Sequence, residues 1–208
     1  MSTALIVIDM QRDFCAPGGY ADRAGLDVGR LRAPIPAIQR LLAGARARGL
    51  LVLHTREGHR SDLSDLPALK RRRAEAAGAP IGGRGPLGRL LVRGEFGHDL
   101  IDELRPEPGE PVIDKPGYSA FAATDLELLL RNRGITDLII TGVTTEVCVS
   151  STLRSAVDLG YACTLVSDAC ASADPALHAA ALAMVAVEGG IFGRVLDSAA
   201  LLAEWEGA

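Results

Sequence analysis

Short apolar runs rich in β-branched residues alternate with helix-period segments along most of this chain, and that alternation restricts the fold more than any other feature. Ala4 to Ile8 is apolar without interruption, as expected of a strand covered on both faces rather than one. Ile35 to Arg48 is amphipathic and halts at Gly49, a residue suited to the left-handed position just past a helix end. Leu50 to Leu53 then reads as a second strand. The same grammar gives a third strand at Val112–Ile113, a helix over Leu126–Arg133 closed by Gly134, and a fourth strand at Leu138–Thr141. A helix from Glu146 to Leu159 ends at Gly160, and Cys163–Val166 follows as the fifth strand. Pro175, placed after Asp174, opens a helix running to about Val187. Ile191–Val195 reads as the sixth strand, and a last helix runs from about Ser198 to Glu204. The pattern predicts one α/β domain over residues 1–208, doubly wound, with a mostly parallel six-stranded sheet and helices on both faces.

Residues 56–111 break the alternation and form a long insert, expected to be an active-site lid, an oligomer contact or a partly disordered loop. Its basic run, Lys70 to Arg73, reads as a solvated helix face rather than a nucleic-acid patch, because acidic side chains outnumber basic ones 26 to 22. Its glycine-rich stretch, Gly82 to Gly88, lacks the Lys-Ser/Thr of a phosphate loop. A formal net charge of −4 gives no electrostatic reason to expect nucleic acid or an anionic membrane as partner. The longest uninterrupted apolar stretch, Ala179–Val187, is too short to span a bilayer, and the first residues do not have the make-up of a signal peptide. Cys15, Cys148, Cys163 and Cys170 show no close pairing, and a chain of 208 residues closes a core without disulfides. A cytoplasmic protein with reduced thiols is the expectation.

In open parallel sheets, chemistry gathers beyond the carboxyl ends of the strands. Those ends carry Asp9 after the first strand, Lys115 after the third and Cys148 just after the fourth. An acid, an amine and a thiol are the parts needed for covalent catalysis at a carbonyl. Taken singly, each has a structural explanation: a turn former, a surface charge, a packing thiol. The conjunction is what points to chemistry. Thr144 or Thr145 is expected to cap the helix that follows, which puts Cys148 in its first turn. There the helix dipole favours thiolate, and free N–H groups can hold an oxyanion. Cys15, Cys163 and Cys170 read as packing.

These residues sit in motifs that resemble the isochorismatase-like cysteine hydrolases: Asp9 to Phe14, Asp114 to Phe121 and Thr141 to Val149. The resemblance covers nearly the whole chain. It implies Asp9 as general base, Lys115 as its charged partner and Cys148 as nucleophile. It also implies a cis peptide between Val143 and Thr144 that turns backbone N–H groups toward an oxyanion, and a pocket lined by Phe14, Tyr118 and Phe121. Further stretches, Pro17–Tyr20, His54–His59, Asp62–Asp65, Leu91–Glu95 and Gly189–Gly193, are similar to the branch that hydrolyses biuret and ureidoacrylate. The implied activity is hydrolysis of a C–N bond in a small linear ureide through a thioacyl-enzyme, by a homo-oligomer, without an organic cofactor. Two alternatives remain beside it: an isochorismatase- or N-carbamoyl-amide-type hydrolase, or a catalytically silent scaffold.

Where the biuret enzymes carry a glutamine that reads the far end of the substrate, this chain has Glu188. A carboxylate only accepts hydrogen bonds, so in that role it favours a tail rich in N–H groups. In the alternative reading Glu188 merely ends its helix beside Gly189 and Gly190 and faces solvent. Nicotinamidases, in the same superfamily, bind a divalent ion after the second strand, where Glu57 and His59 stand here. No second histidine lies near them, and His98 and His178 are isolated, so no metal is expected.

Overall fold

The computed structural model describes residues 2–207. Six strands form one sheet: β1 (Thr3–Ile8), β2 (Leu51–Glu57), β3 (Val112–Lys115), β4 (Asp137–Val143), β5 (Ala162–Ala171) and β6 (Arg194–Leu196). Their order is β3-β2-β1-β4-β5-β6, and every pairing is parallel. The central β1 is hydrogen-bonded on both sides, with Leu5 opposite Val52 on β2 and opposite Ile139 on β4.

The uninterrupted apolar run of β1 is explained by the two cores it separates. Leu5 and Val7 point to one, with Ile38, Leu41 and Ala45 of helix α1 (Ile35–Ala47). Ala4, Ile6 and Ile8 point to the other, with Leu126 and Leu130 of α3 (Leu126–Asn132) and Leu153 and Ala156 of α4 (Ser150–Asp158). Two apolar faces leave no polar side for the strand to present to water. Chain order runs outward from β1 through β2 to β3 and then returns to β1's other side as β4. The carboxyl ends of β1 and β4 therefore flank the point where the winding reverses, which is where open α/β sheets leave a crevice.

Four expectations need correction. The second strand runs on through polar residues to Glu57, and the fifth reaches Ala171, so Cys170 lies within a strand rather than a loop. The helix expected from Glu146 begins as a π-type turn over Thr145–Val149, and α4 proper starts at Ser150. The sixth strand lies at Arg194–Leu196, displaced from Ile191–Val195.

The insert is folded. It contains α2 (Ala68–Ala76), a two-residue hairpin at Arg84–Gly85 and Gly88–Arg89, and a 3-10 turn at Asp102–Leu104. Buried polar groups fasten it to the sheet. The Gln11 amide donates to the carbonyl oxygens of Glu57 and His98 and accepts from Glu57 N–H, and Asp13 accepts from Leu91 N–H. Helix α5 (Pro175–Val185) is capped by Asp174, whose side chain accepts from Ala176 N–H. Most of its surface, including Leu177 and Met184, is exposed. No helix among the described residues is long and apolar enough to cross a membrane.

Candidate active site

Asp9 follows β1 with φ of 53°, a left-handed conformation that is uncommon for a non-glycine residue. The turn is held from both ends. Asp9 N–H donates to the Thr55 carbonyl and hydroxyl oxygens on β2, and the Thr55 hydroxyl donates to Asp9 Oδ1 at 2.6 Å. Lys115 closes β3, and its fully buried Nζ stands 2.7 Å from Asp9 Oδ2 and donates to Gly117 O at 3.0 Å. Cys148 sits in the π-type turn after β4 and keeps 4% of its surface exposed. The structure thus brings together the three side chains expected from the sequence. The peptide between Val143 and Thr144 is cis.

Two further side chains stand in the site: Glu57, weighed from the sequence only as a metal ligand, and Lys70. Glu57 stands opposite Lys115 in the β2–β3 register, with its Oε2 3.5 Å from Lys115 Nζ. The same oxygen accepts from Cys148 Sγ at 3.2 Å. The other oxygen lies 2.6 Å from Nζ of Lys70, which also donates to Pro116 O and lies 5.1 Å from the centroid of the Tyr118 ring. The basic run predicts a solvated face for Lys70 to Arg73. That holds for Arg71, Arg72 and Arg73, which are exposed, but Lys70 shares the buried side of α2 with Ala74. The insert therefore supplies a side chain to the cluster.

Burial dominates the electrostatics. It raises the Asp9 carboxyl above its usual range; Lys115 opposes this without cancelling it, and the Glu57 charge adds to the rise. Burial also pushes Glu57 up, but Lys115 and Lys70 together carry it below its ordinary value. Two nearby carboxyls are thus driven apart, one toward holding a proton and the other toward charge. Lys115 remains charged because Asp9, Cys148 and Glu57 outweigh its desolvation. The Cys148 thiol is raised well above its usual value by burial, with Lys115 opposing and both carboxylates reinforcing. This corrects the expectation of a thiolate favoured by a helix start. Thr144 makes no side-chain cap, and the Thr145 hydroxyl pairs instead with His178 Nδ1 at 2.8 Å. Burial thus favours the thiol over the thiolate.

Of the expected pocket residues, Phe14 packs edge-on against Tyr20 with ring centroids 5.9 Å apart. The Tyr20 hydroxyl is pushed up to about 12 by burial and by Glu57, Tyr118 and Cys148. Tyr118 is half-buried under Lys70. Phe121 instead stacks on Tyr161, just ahead of the amino end of β5. Glu188 is exposed, at a kink with φ of 51°. Its neighbours Gly189 and Gly190 line a cavity with Thr3, Asp137 and Ala162, the residues that open β1, β4 and β5. In this chain Glu188 is therefore at the opposite edge of the sheet from the sulfur. Its solvent-facing reading fits, because the side chain is exposed and the backbone leaves helical geometry at Glu188 and Gly189.

Asp9, Glu57 and Cys148 each offer one ligand atom, all within 4.8 Å of one another, a spacing that could hold a metal ion. The Lys115 ammonium occupies the approach to both carboxylates, and Lys70 covers the remaining oxygen of Glu57. The donor set is neutralised by its own two cations. His59 is not among these three ligand groups; its Nδ1 lies 3.2 Å from Asp65 Oδ1.

The sequence matches the isochorismatase domain over residues 3–200. It is 40% identical, over 96% of its length and 78% of the relative's, to ureidoacrylate amidohydrolase RutB of Methylobacterium radiotolerans. The fold superposes with a TM-score of 0.83 on a cysteine hydrolase from Pseudomonas syringae pv. phaseolicola, 30% identical, covering 99% of this chain and 92% of that one. N-carbamoylsarcosine amidase from Thermoplasma acidophilum gives a TM-score of 0.72 at 25% identity, covering 95% and 97% of the two chains. The match along almost the full length, together with a thiol, a carboxylate and an ammonium group at one set of strand ends, shows that this chain is a hydrolase belonging to the isochorismatase family.

Proposed function

We propose that this protein is a cysteine-dependent amidohydrolase that cleaves a C–N bond of a small linear ureide. The observation that carries the reading is the convergence of Asp9, Lys115 and Cys148, from three separate strand ends, on one buried cluster. The two relatives named for their substrates, ureidoacrylate and N-carbamoylsarcosine, support the class, since both molecules carry a carbamoyl group on nitrogen.

The Asp9 carboxylate takes the proton of Cys148 as Sγ forms a bond to the substrate carbonyl carbon. Lys115 balances the charge of the acid while it is ionised. The carbonyl electron pair moves onto oxygen, where the N–H groups of Thr144 and Cys148 stabilise it. The pair returns, the C–N bond breaks, and protonated Asp9 gives its proton to the leaving nitrogen. Water then gives a proton to Asp9 and its oxygen to the acyl carbon, and sulfur leaves with the proton held on Asp9. A raised carboxyl suits the first step, because it accepts a proton from the thiol more readily than an ordinary carboxylate would.

The test is an ammonia-release screen over biuret, triuret, guanylurea, ureidoacrylate, N-carbamoyl amino acids and nicotinamide, run beside Cys148→Ala. Turnover of at least one ureide is expected, with a loss on the order of 10⁴-fold or more in the folded variant. Substantial hydrolysis by Cys148→Ala places the nucleophile elsewhere, and turnover of nicotinamide alone removes the ureide reading.

A further inference from the structure

Glu57 has no part in the reaction just described, yet its Oε2 accepts from the sulfur in the resting site. It is 97% buried, and its two oxygens are held differently. Oε1 is committed to Lys70 at 2.6 Å. Oε2 has Lys115 at 3.5 Å and the thiol proton of Cys148. When that proton moves to Asp9, Oε2 loses its donor at the moment the substrate carbon arrives on Sγ. A buried carboxylate that loses a donor must recover one or bear a desolvation cost.

We propose that Glu57 is a specificity-determining residue: Oε2 accepts an N–H from the nitrogen that stays on the attacked carbonyl carbon, so that the site selects ureides over plain carboxamides. Lys70 is the positioning residue that holds Glu57 in place from the insert. The inference rests on the amidohydrolase reading and deepens it. Two carboxylates lie beside one sulfur, and a urea carbonyl carries two nitrogens. The leaving nitrogen must face Asp9, which delivers its proton. The other substituent of the carbonyl carbon then falls on the side of the second carboxylate, whose oxygen is 3.2 Å from the sulfur that the carbon bonds. In a ureide that substituent is N–H, which replaces the donor lost from the thiol. In a carboxamide it is carbon, and Oε2 keeps only Lys115 at 3.5 Å, with no hydrogen bond in place of the thiol's. Asp9 with Lys115 and Glu57 with Lys70 form two cation–anion pairs, so the role needs no compensating charge on the substrate.

Biuret and malonamide separate the two cases, since they share both terminal amides and differ by N–H against CH₂ between the carbonyls. The wild-type protein is expected to favour biuret in kcat/KM on the order of 10⁴-fold, as a site built around a hydrogen bond rejects an analogue that lacks the donor. A preference under tenfold overturns the proposal without any variant. The double substitution Glu57→Leu with Lys70→Met replaces the pair by apolar groups of similar size, an exchange that buried ion pairs often tolerate. In it the biuret-to-malonamide ratio should collapse by about a hundredfold or more; a ratio within threefold of wild type overturns the assignment to Glu57. Lys70→Arg, which keeps the cation, should restore most of the preference that Lys70→Met alone removes, and equal loss in both denies Lys70 its positioning role. A wild-type protein that hydrolyses no ureide defeats the amidohydrolase reading itself, whereas ureide turnover without discrimination defeats only Glu57.

Discussion

Lys115 Nζ lies 2.7 Å from Asp9 Oδ2, and both groups are fully buried. Neither charge has bulk water to fall back on, so each depends on the other. Removing one partner of such a pair leaves an uncompensated charge in the interior, at a cost of about 3–5 kcal/mol. Lys115→Met should therefore lose stability of that order in urea denaturation, in addition to losing ureide hydrolysis. A loss below about 1 kcal/mol would mean that the pair is solvated in a way its burial does not allow.

The Asp9 carboxyl must be ionised to accept the thiol proton, and burial raises its pKa. The acid limb of kcat/KM should accordingly lie above the ordinary aspartate range rather than within it. The Thr55 hydroxyl, donating to Asp9 Oδ1 at 2.6 Å, stabilises the ionised form and so holds that limb down. Thr55→Val keeps the shape and deletes the donor. Its acid limb should move upward by about one pH unit, the equivalent of one hydrogen bond. A limb that stays in place, or moves to lower pH, shows that another group controls the acid side.

The Asp9–Lys115–Cys148 set was legible because the rule that locates it needs only strand ends, and the apolar runs marked those ends. The same rule misses Glu57 for a specific reason. β2 continues through His54, Thr55 and Arg56, polar residues that end an apolar run without ending the strand, so the true carboxyl end was out of view. Lys70 carries no periodic signal. It occupies a position where an amphipathic helix would put an aliphatic residue, while the adjacent Leu69 is 49% exposed. Only the partner across the fold explains that inversion. Glu188 shows the reverse failure: its place in a motif suggested the pocket, but the backbone turns at Glu188 and Gly189 before the side chain could reach it. For the thiol, a helix-end effect of about 1 kcal/mol is small beside full burial near two carboxylates, which raises its pKa.

Gly142 sits on β4 opposite Ile8, with φ of 110°, and a Cβ there would collide with the Ile8 carbonyl oxygen. Both the backbone conformation and the close approach demand glycine. Asp9 and Val143 follow immediately on the two strands, so the contact also fixes the spacing of the catalytic carboxylate from the turn that carries Cys148. Gly142→Ala should destabilise by about 2–4 kcal/mol and lower kcat by about a hundredfold, since a displacement near 1 Å suffices for that. Stability within about 0.5 kcal/mol of wild type in denaturant titration would show that the strands separate freely.

His98 is buried between the insert and β3, its Nε2 3.6 Å from Asp114 Oδ1, and desolvation lowers its pKa to about 4 despite that carboxylate. Unfolded, it titrates near 6.5. The folded protein thus binds the proton less readily, so stability from neutral His98 is complete above pH 6.5 and is lost as pH falls toward 4. Asp13, raised to about 6 by burial, works in the opposite sense: its ionisation costs stability as pH rises through 6. The two slopes overlap, so the wild-type curve alone does not report on His98. The difference between wild type and His98→Gln does. Between pH 7 and 4.5 wild type should lose roughly 2–3 kcal/mol more than the variant, measured by urea denaturation at each pH. Parallel curves across that interval would mean that His98 takes up its proton in the folded protein as easily as in the unfolded chain, and that its burial carries no cost.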